Sequence, residues 1–187
     1  MESENQTFKK EAFGGRNLAH SVFSHVRFEG CDFTETKLTS SKFAACVFVK
    51  CTLGLVKLDG VRLHDVSFEG CKLVGVNFTP CERMFFSLRF KDCLIDTCNF
   101  ATLDLKSTAF SHSVIRDTHF TDANLTGADF RGCDLRGSTF HASNLSKADL
   151  RGAINYSINP LTNTLKGAKF SQPEVMALLE HLGIIIE

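Results

Sequence analysis

The sequence has no excess of either charge and no long apolar run. Its 21 Lys and Arg residues balance 21 Asp and Glu residues, so no global field attracts the chain to nucleic acid or to an anionic membrane. No stretch approaches the length that is needed to cross a bilayer, and the first twenty residues contain no continuous apolar run of the signal-peptide kind. These absences predict a soluble, cytoplasmic protein without a membrane partner and without direct nucleic-acid binding.

What the sequence does contain is a large apolar residue at every fifth position. We take this residue as the centre of a five-residue unit, and the centres run from Leu18 to Phe78 and again from Phe90 to Leu150. The 26 centres are 13 Phe, 11 Leu and 2 Ile. Two places before the centre stands Ala, Cys, Ser, Thr or Val in 23 of the 26 units. Each unit therefore places a small residue and a large apolar residue two positions apart, with one residue between them.

This spacing predicts a short extended segment followed by a bend. In extended backbone, residues two apart point to the same side, so the small residue and the centre share an inward face. The fifth residue must then turn the chain. Of the nine glycines between residues 16 and 153, eight lie two places after a centre, where glycine tolerates the positive φ of a tight turn.

A longer period indicates how many units make one turn of a coil. Phenylalanines recur at spacings of 20, 20, 22, 20 and 20 in the series Phe28, Phe48, Phe68, Phe90, Phe110 and Phe130. Like side chains stacked on one of four sides would give this spacing. Four units per turn, with parallel strands about 4.8 Å apart, predict about seven coils.

The pattern resembles that of the pentapeptide-repeat proteins over residues 16–153. That family forms a right-handed, four-sided parallel β-helix, so the resemblance implies an all-β quadrilateral solenoid. We expect residues 1–15 to form a separate N-terminal cap segment. Residues 154–187 are expected to form a C-terminal cap and dimerisation segment, with a short capping helix.

The eight cysteines all occupy the small inward position or lie in phase with it: Cys31, Cys46, Cys51, Cys71, Cys81, Cys93, Cys98 and Cys133. We interpret them as small apolar residues of the core. Four of them should form one column, for which oxidation or a metal site is the alternative. Inward thiols lack the exposure of reactive cysteines and the ligand spacing of a zinc site, so no metal or other cofactor is predicted.

Enzymatic activity is not expected, because the large side chains fill the axis of the coil and leave no internal pocket. The sequence also lacks a glycine-rich phosphate loop, a metal signature and a catalytic triad motif. The histidines within the repeat fall at outward or corner positions, and none pairs with a nucleophile: His20, His25, His64, His112, His119 and His141. The function should therefore lie on the outside of the rod.

The repeat is broken once, near residues 79–88, where the phase shifts by two residues. Pro80 cannot donate a ladder hydrogen bond, and Glu82 and Arg83 fall where inward residues are expected, so we predict a bulge or a short protruding loop. Irregular segments on a rigid scaffold often bind partners, although an insertion without a role is an equal alternative. The candidate contact residues are Pro80, Glu82, Arg83 and Met84.

The C-terminal segment contains a helix signal. Ser171 followed by Glu174 is a capping box, Pro173 suits a first turn and Gly183 can end the helix. Such a helix would cover the open end of the rod, where unpaired strand edges would otherwise recruit other chains.

The apolar residues of this segment exceed what a small cap needs. We predict a homodimer joined at the C-termini, and a purely intramolecular cap is the alternative. The predicted interface contains Met176, Leu179, Leu182 and Ile184, and Ile185 and Ile186 continue the apolar run.

The order of rod, helix and closing apolar strand, with the motif LLEHLGIIIE, resembles the quinolone-resistance (Qnr) and microcin B17 immunity proteins. The resemblance implies a dimeric rod that engages a type II topoisomerase, DNA gyrase or topoisomerase IV, and modulates or protects it from inhibitors. Imitation of duplex DNA is one way in which such a rod would act. A general protein-interaction scaffold with an unrelated partner is the alternative function.

Imitation of DNA would require an acidic stripe, because duplex DNA carries one charge per about 1.7 Å. Carboxylates predicted to share one side are Asp32, Glu35, Asp96, Asp117 and Asp134, of which the last three are further candidates for partner contact. Lys72, Arg116 and Arg136 interrupt this stripe. Where Qnr proteins present two sizeable loops, this chain has one short irregularity.

Overall fold

Each five-residue unit forms one side of a coil in the structure, a computed structural model that describes residues 1–184. Successive turns pair in parallel, with Phe8 opposite Phe28 and Phe28 opposite Phe48. This register, which places like positions of neighbouring turns opposite each other, repeats along the chain. It yields a parallel β-solenoid of about eight turns with little helix. The predicted solenoid fold is confirmed.

The strands are two to four residues long, because each is cut off by the next corner. In chain order they are β1 (Glu2–Glu4), β2 (Thr7–Lys9), β3 (Val22–Ser24), β4 (Arg27–Glu29), β5 (Lys42–Ala44), β6 (Val47–Val49), β7 (Thr52–Gly54), β8 (Arg62–His64), β9 (Val66–Glu69), β10 (Lys72–Val74), β11 (Leu88–Lys91), β12 (Leu94–Asp96), β13 (Val114–Arg116), β14 (Thr139–Phe140) and β15 (Ser157–Ile158).

Three sides of the solenoid carry parallel sheets. The first side is the sheet β1-β3-β5-β8, the second is β2-β4-β6-β9-β11 and the third is β7-β10-β12-β13. The fourth side consists mainly of single bridges, such as that between Asn99 and His119, and ends in the pair β14-β15. We use these four names for the sides below.

Stacked aromatic rings fill the axis. The column Phe28, Phe48, Phe68, Phe90, Phe110 and Phe130 has successive centroid separations of 4.7, 5.0, 5.1, 5.1 and 4.9 Å. Rings of neighbouring sides meet these edge-on, as Phe100 meets Phe110 at 5.9 Å and 86°. Stacked and edge-to-face pairs are both favourable ring geometries. The predicted column is confirmed, and the rings leave little room on the axis.

The small inward residues have a second role that the pattern did not reveal. Their hydroxyl and thiol groups donate to backbone carbonyls of the preceding turn. Ser41 Oγ donates to Leu18 O at 2.7 Å, and Cys51 Sγ donates to Phe28 O at 3.3 Å. A buried carbonyl without a donor costs free energy. This explains why Ser, Thr and Cys are so frequent at a position that packing alone would fill with Ala.

All eight cysteines are buried and free of disulfides, in agreement with their interpretation as core residues. Burial raises the pKa of the Cys98 thiol to about 11 and that of the Cys133 thiol to about 12. These thiols therefore stay protonated at neutral pH and keep the hydrogen that they donate to the backbone.

The solenoid begins earlier than predicted. Residues 1–15 are not a separate cap, because β1 pairs with β3 and β2 pairs with β4. The Phe13 ring lies 4.8 Å from that of Phe33 and is stacked on it. The N-terminal segment is thus the first turn of the coil.

The solenoid also extends beyond the predicted boundary at residue 153. Phe140 pairs with Ile158, so this turn is shorter than the others, whereas Asn144 bridges to Thr164 in the usual register. The coil is two residues shorter than usual before Ile158, and two extra residues in the turn at 159–163 restore the register. The ladder then continues to Lys169. Together with the N-terminal turn, this extension gives the coil about eight turns instead of seven.

The terminal helix is a 3₁₀ helix over Glu174–Leu182. The predicted capping box is absent, because Ser171 Oγ accepts a hydrogen bond from Gly152 N at 2.9 Å and no side chain caps the helix. Gly183 ends the helix with a φ of 65°, as predicted. Leu178 packs against the core and the helix contacts β15, so it covers this end of the coil. Within residues 1–184, no helix has the length and apolar character to cross a bilayer.

We predict that Phe68→Ala destabilises the coil by about 3 to 5 kcal/mol, because it leaves a cavity between two stacked rings. Phe68 is 2% exposed. Denaturant unfolding of the purified variant measures the loss. Phe85→Ala is the matched control, since Phe85 is 73% exposed and its removal should change stability by less than about 0.5 kcal/mol. Equal melting of both variants would contradict the inward assignment of Phe68.

Candidate protein-interaction surface

The two extra residues of the sequence break are pushed outward on the first side. Glu82 N donates to Val61 O and Ser87 N donates to Leu63 O, so the ladder is intact on both flanks of the insertion. Between these bonds the chain leaves the coil at Arg83–Phe86, which we call the protrusion. This agrees with the short protruding loop that the sequence predicts.

The protrusion has an exposed apolar tip and an anchored base. Met84 and Phe85 are 72% and 73% exposed. Phe85 has a φ of 61° and its ring lies 5.9 Å from the ring of His64. Phe86 turns back and packs against the core. A bulky residue with positive φ is uncommon, and here this conformation directs an aromatic ring outward instead of into the core.

Two of the predicted contact residues hold the protrusion in place. Arg83 donates from Nη1 to Thr102 O at 2.6 Å and from Nη2 to Thr102 Oγ1 at 2.9 Å. Glu82 points outward, not inward as the repeat suggested, and forms an ion pair with Arg62. The hydrogen bond with Glu82 raises the pKa of the Arg62 guanidinium. Both side chains therefore act as positioning residues for the tip.

Of the remaining candidates, Pro80 is half-buried and its carbonyl accepts a hydrogen bond from Gly60 N at 2.9 Å. Met84 is the predicted contact residue whose side chain is free to meet a partner. Phe85 was not among the candidates. Its signal in the sequence is a large apolar residue seven places after Phe78, which is the corner position if the five-residue spacing continues and where the repeat usually has a polar residue or glycine.

Two shallow clefts flank Phe86 at the base of the protrusion. One, of about 170 Å³, contains Asp65, Arg89 and Lys106. The other, of about 230 Å³, contains Arg83, Asp104 and Asp122. Small-molecule sites usually measure roughly 300 to 1,000 Å³. Both clefts are thus better suited to a single side chain of a protein partner than to a small ligand.

The predicted acidic residues do lie together on the third side, but much of their charge is offset. Asp96 pairs with Arg116 at 3.0 Å and Asp134 pairs with Arg136 at 3.8 Å. Asp117 is exposed at the adjoining corner. Over residues 1–184 the third side therefore carries alternating charges and no continuous acidic stripe.

The predicted dimer residues of the terminal segment are exposed to solvent to different degrees. Met176, Leu182 and Ile184 are 42%, 44% and 53% exposed, whereas Leu179 is half-buried. Ile185 and Ile186, which continue the apolar run in the sequence, lie outside the described residues. Three of the four predicted residues are thus exposed at this end of the rod.

We predict that Arg83→Ala loosens the protrusion without unfolding the coil. Loss of both bonds to Thr102 should speed amide exchange at residues 84–86 by about tenfold. In the variant, local opening of the protrusion no longer has to break these two bonds and therefore costs less free energy. Hydrogen–deuterium exchange measures this, and thermal melting should stay unchanged. Arg136→Ala, on the third side, is the control. Exchange as slow as in the unmodified chain would show that the bonds of Arg83 to Thr102 do not hold the tip in place.

Comparison with protein-family models matches two stretches of the chain to pentapeptide repeats. Residues 21–83 match the model of a pentapeptide repeat region, and residues 104–141 and 118–154 match that of pentapeptide repeats in eight copies. Among curated proteins, the pentapeptide repeat protein MfpA of Mycobacterium tuberculosis is 36% identical over 84 residues. The match covers 42% of this chain and 46% of MfpA, so it spans less than half of that relative.

Solved structures of other proteins show the same fold. A trypsin-treated form of QnrB1, described as a plasmid-mediated fluoroquinolone resistance protein, superposes with a TM-score of 0.76 at 17% identity. The superposition covers 100% of this chain and 98% of QnrB1. HetL, a pentapeptide repeat protein involved in heterocyst differentiation regulation in the cyanobacterium Nostoc, has a TM-score of 0.50 at 19% identity and covers 90% and 82% of the two chains. At these identities the likeness concerns the fold.

Proposed function

The chain belongs to the pentapeptide-repeat family, and from this premise we propose that it is a non-enzymatic, cytoplasmic rod that binds DNA gyrase or topoisomerase IV. It modulates the response of that enzyme to inhibitors such as quinolones. The proposal is supported by the local similarity to MfpA and by a fold shared end to end with a fluoroquinolone resistance protein. The observation that carries it in this chain is the exposed apolar tip, Met84 and Phe85, on a rigid coil.

We assign the contact with the enzyme to the protrusion. Interfaces are dominated by a few aromatic and long apolar side chains that enter pockets of the partner. Met84 and Phe85 have this character, and their position is set by the bonds of Glu82 to Arg62 and of Arg83 to Thr102. A preformed tip binds at lower entropic cost than a loop that must be ordered.

The charges of the third side argue against imitation of duplex DNA. Duplex DNA carries one charge per about 1.7 Å, whereas Asp96 and Asp134 on the third side are paired with arginines. Asp117 alone among the three candidate carboxylates of that side has no such ion pair within residues 1–184. A protein contact through the apolar tip fits the charges better than a DNA-like surface.

We further propose that two rods join at the terminal helix. Met176, Leu182 and Ile184 expose apolar surface beside the covered end of the coil, and burial of such surface gives about 25 cal/mol per Å². Leu179 supports the helix from its half-buried side. The dimer would place one protrusion on each arm of an extended particle.

We expect that the wild-type rod, at micromolar concentration, changes supercoiling or quinolone-dependent cleavage by a type II topoisomerase. Met84→Ser/Phe85→Ser should weaken this effect at least about tenfold, since loss of an interface anchor commonly costs more than about 1.4 kcal/mol. A gel assay of supercoiled product with and without drug measures both quantities. Leu161→Ser is the control, because Leu161 is 74% exposed on the other irregular turn.

If the wild-type rod has no effect on rate, cleavage or drug sensitivity, a topoisomerase is not its partner. The alternative function, a scaffold that binds an unrelated partner, then remains. If the Met84→Ser/Phe85→Ser variant keeps the full effect, the contact with the enzyme lies elsewhere on the rod and not at the protrusion.

We predict that Leu182→Glu converts a dimer to a monomer, because two carboxylates would be buried against apolar surface at a two-fold interface. Analytical ultracentrifugation should show the mass fall by half at the same concentration. Leu161→Glu should leave the mass unchanged. A wild-type protein that sediments as a monomer at high concentration would favour the purely intramolecular cap.

A further inference from the structure

The third side carries exposed apolar residues away from the protrusion, and two of them, Leu55 and Val114, also lie away from both ends of the coil. Leu55 is 53% exposed, Val114 is 38% exposed and Ile154 is 42% exposed. Outside the protrusion, the turn at 159–163 and the terminal segments, these are the large apolar side chains with high exposure in the described residues, and all three lie on one side. Clustering of this kind marks an interaction surface more often than isolated apolar residues do.

Backbone pairing brings apolar residues of this side together in two neighbouring pairs. Leu55 N donates to Val74 O at 2.9 Å, and Leu94 pairs with Val114 on the next turn. Val74 and Leu94 are half-buried and lie on the two turns in between, as diagonal neighbours, because the register places Leu94 opposite Lys72 and Val74 opposite Asp96. We name these four residues the apolar strip: Leu55, Val74, Leu94 and Val114. It crosses four successive turns diagonally, while Ile154 lies beyond Asp134 and outside it.

Leu55 occupies a position that the fold itself does not favour for an apolar residue. It has a φ of 49°, and among the non-glycine corner residues of positive φ within residues 1–184, the large apolar ones are Leu55 and Phe85. Left-handed backbone costs a bulky residue free energy, and neither side chain recovers it by burial. Leu55 Cδ2 also lies only 2.7 Å from the position that a Cβ on Gly75 would take. The neighbouring glycine thus leaves room for the exposed leucine.

One end of the strip is acidic. Glu35 occupies the corner one turn before Leu55, and its N donates to Gly54 O at 2.7 Å. Asp32 accepts hydrogen bonds from Thr34 N and Oγ1, which lower the pKa of its carboxyl. Within residues 1–184 neither carboxylate has an ion-pair partner. At the other end of the strip the charges are matched, because Arg116 pairs with Asp96.

The dimensions of the strip decide what can cover it. Four turns of coil place its ends about 14 Å apart along the axis, and Glu35, one turn further, extends this to about 19 Å. Four turns of α-helix span about 22 Å. A stable symmetric dimer buries roughly 1,200 to 2,000 Å² in total, which exceeds what four aliphatic side chains provide. A single short helix matches the area, and its N-terminal end, where the macrodipole is positive, suits the unpaired carboxylates.

We propose that the apolar strip docks one amphipathic helix of a protein partner, about four turns long. Its apolar residues, spaced three and four apart, lie on Leu55, Val74, Leu94 and Val114. Its N-terminal turn, which carries Lys or Arg, lies over Asp32 and Glu35. This surface is separate from the protrusion and does not depend on topoisomerase binding.

The test is selection of binders from a displayed library of helix-constrained peptides about 14 residues long. The full chain is the bait, and Leu55→Glu/Val114→Glu is the counter-selection bait. Enriched peptides should show the helical apolar period with basic residues in the first turn. By fluorescence anisotropy they should bind the double variant, and Leu55→Glu alone, at least about tenfold more weakly. Asp32→Asn/Glu35→Gln should weaken binding about threefold at low salt and less at high salt.

Met84→Ser/Phe85→Ser is the matched control and should leave peptide affinity unchanged, which separates this surface from the proposed topoisomerase contact. Both altered positions of the strip are exposed, and melting of each variant checks that the coil is intact. Absence of helical peptides from the selected pool overturns the proposal. So do selected helical peptides that bind the Leu55→Glu variant as tightly as the wild type. If sedimentation shows self-association that Leu55→Glu/Val114→Glu abolishes, the occupant is a second copy and the helix proposal is wrong.

Discussion

Hydrogen bonding between successive turns, about 4.8 Å apart, is the constraint on which the rest of this structure depends. Each turn must place its donors opposite the acceptors of the next, so the constant register puts like positions on top of each other. Inside, this makes columns of stacked rings and columns of small residues, and it leaves carbonyls that Ser, Thr and Cys side chains satisfy. The interior is therefore determined by repetition, and differences between turns appear on the outside.

The inward face could be predicted from the sequence because one spacing describes both its packing and its backbone geometry. The first turn escapes the pattern for a physical reason. Phe8 and Phe13 keep the five-residue spacing, but the residues two places before them are Gln6 and Glu11, both of which are exposed. No earlier turn covers that position, so nothing requires a small residue there. At the other end, Phe140 pairs with Ile158 in a shortened turn, and the loss of phase hides the last turn.

The candidate surface was predictable in position but not in detail. A two-residue change of phase locates the protrusion, whereas the roles of Glu82 and Arg83 follow from partners on other turns, Arg62 and Thr102, which no local pattern identifies. The same limit applies to Ser171, whose hydroxyl bonds to Gly152 of the preceding turn instead of capping its own helix. The apolar strip could have been found by searching outward positions for Leu and Val, since the repeat leaves these positions free of any packing requirement.

The protrusion also shows how this architecture can change its length locally. Because the backbone bonds at Glu82 and Ser87 close the ladder on either side, the extra residues shift no ring in the column, and Phe68 and Phe90 still stack at 5.1 Å. A foreign peptide grafted between these two bonds would be carried at a fixed height on a stiff support. The chain thus contains a natural display site, at which new binding sequences could be installed while the remainder of the molecule folds as before.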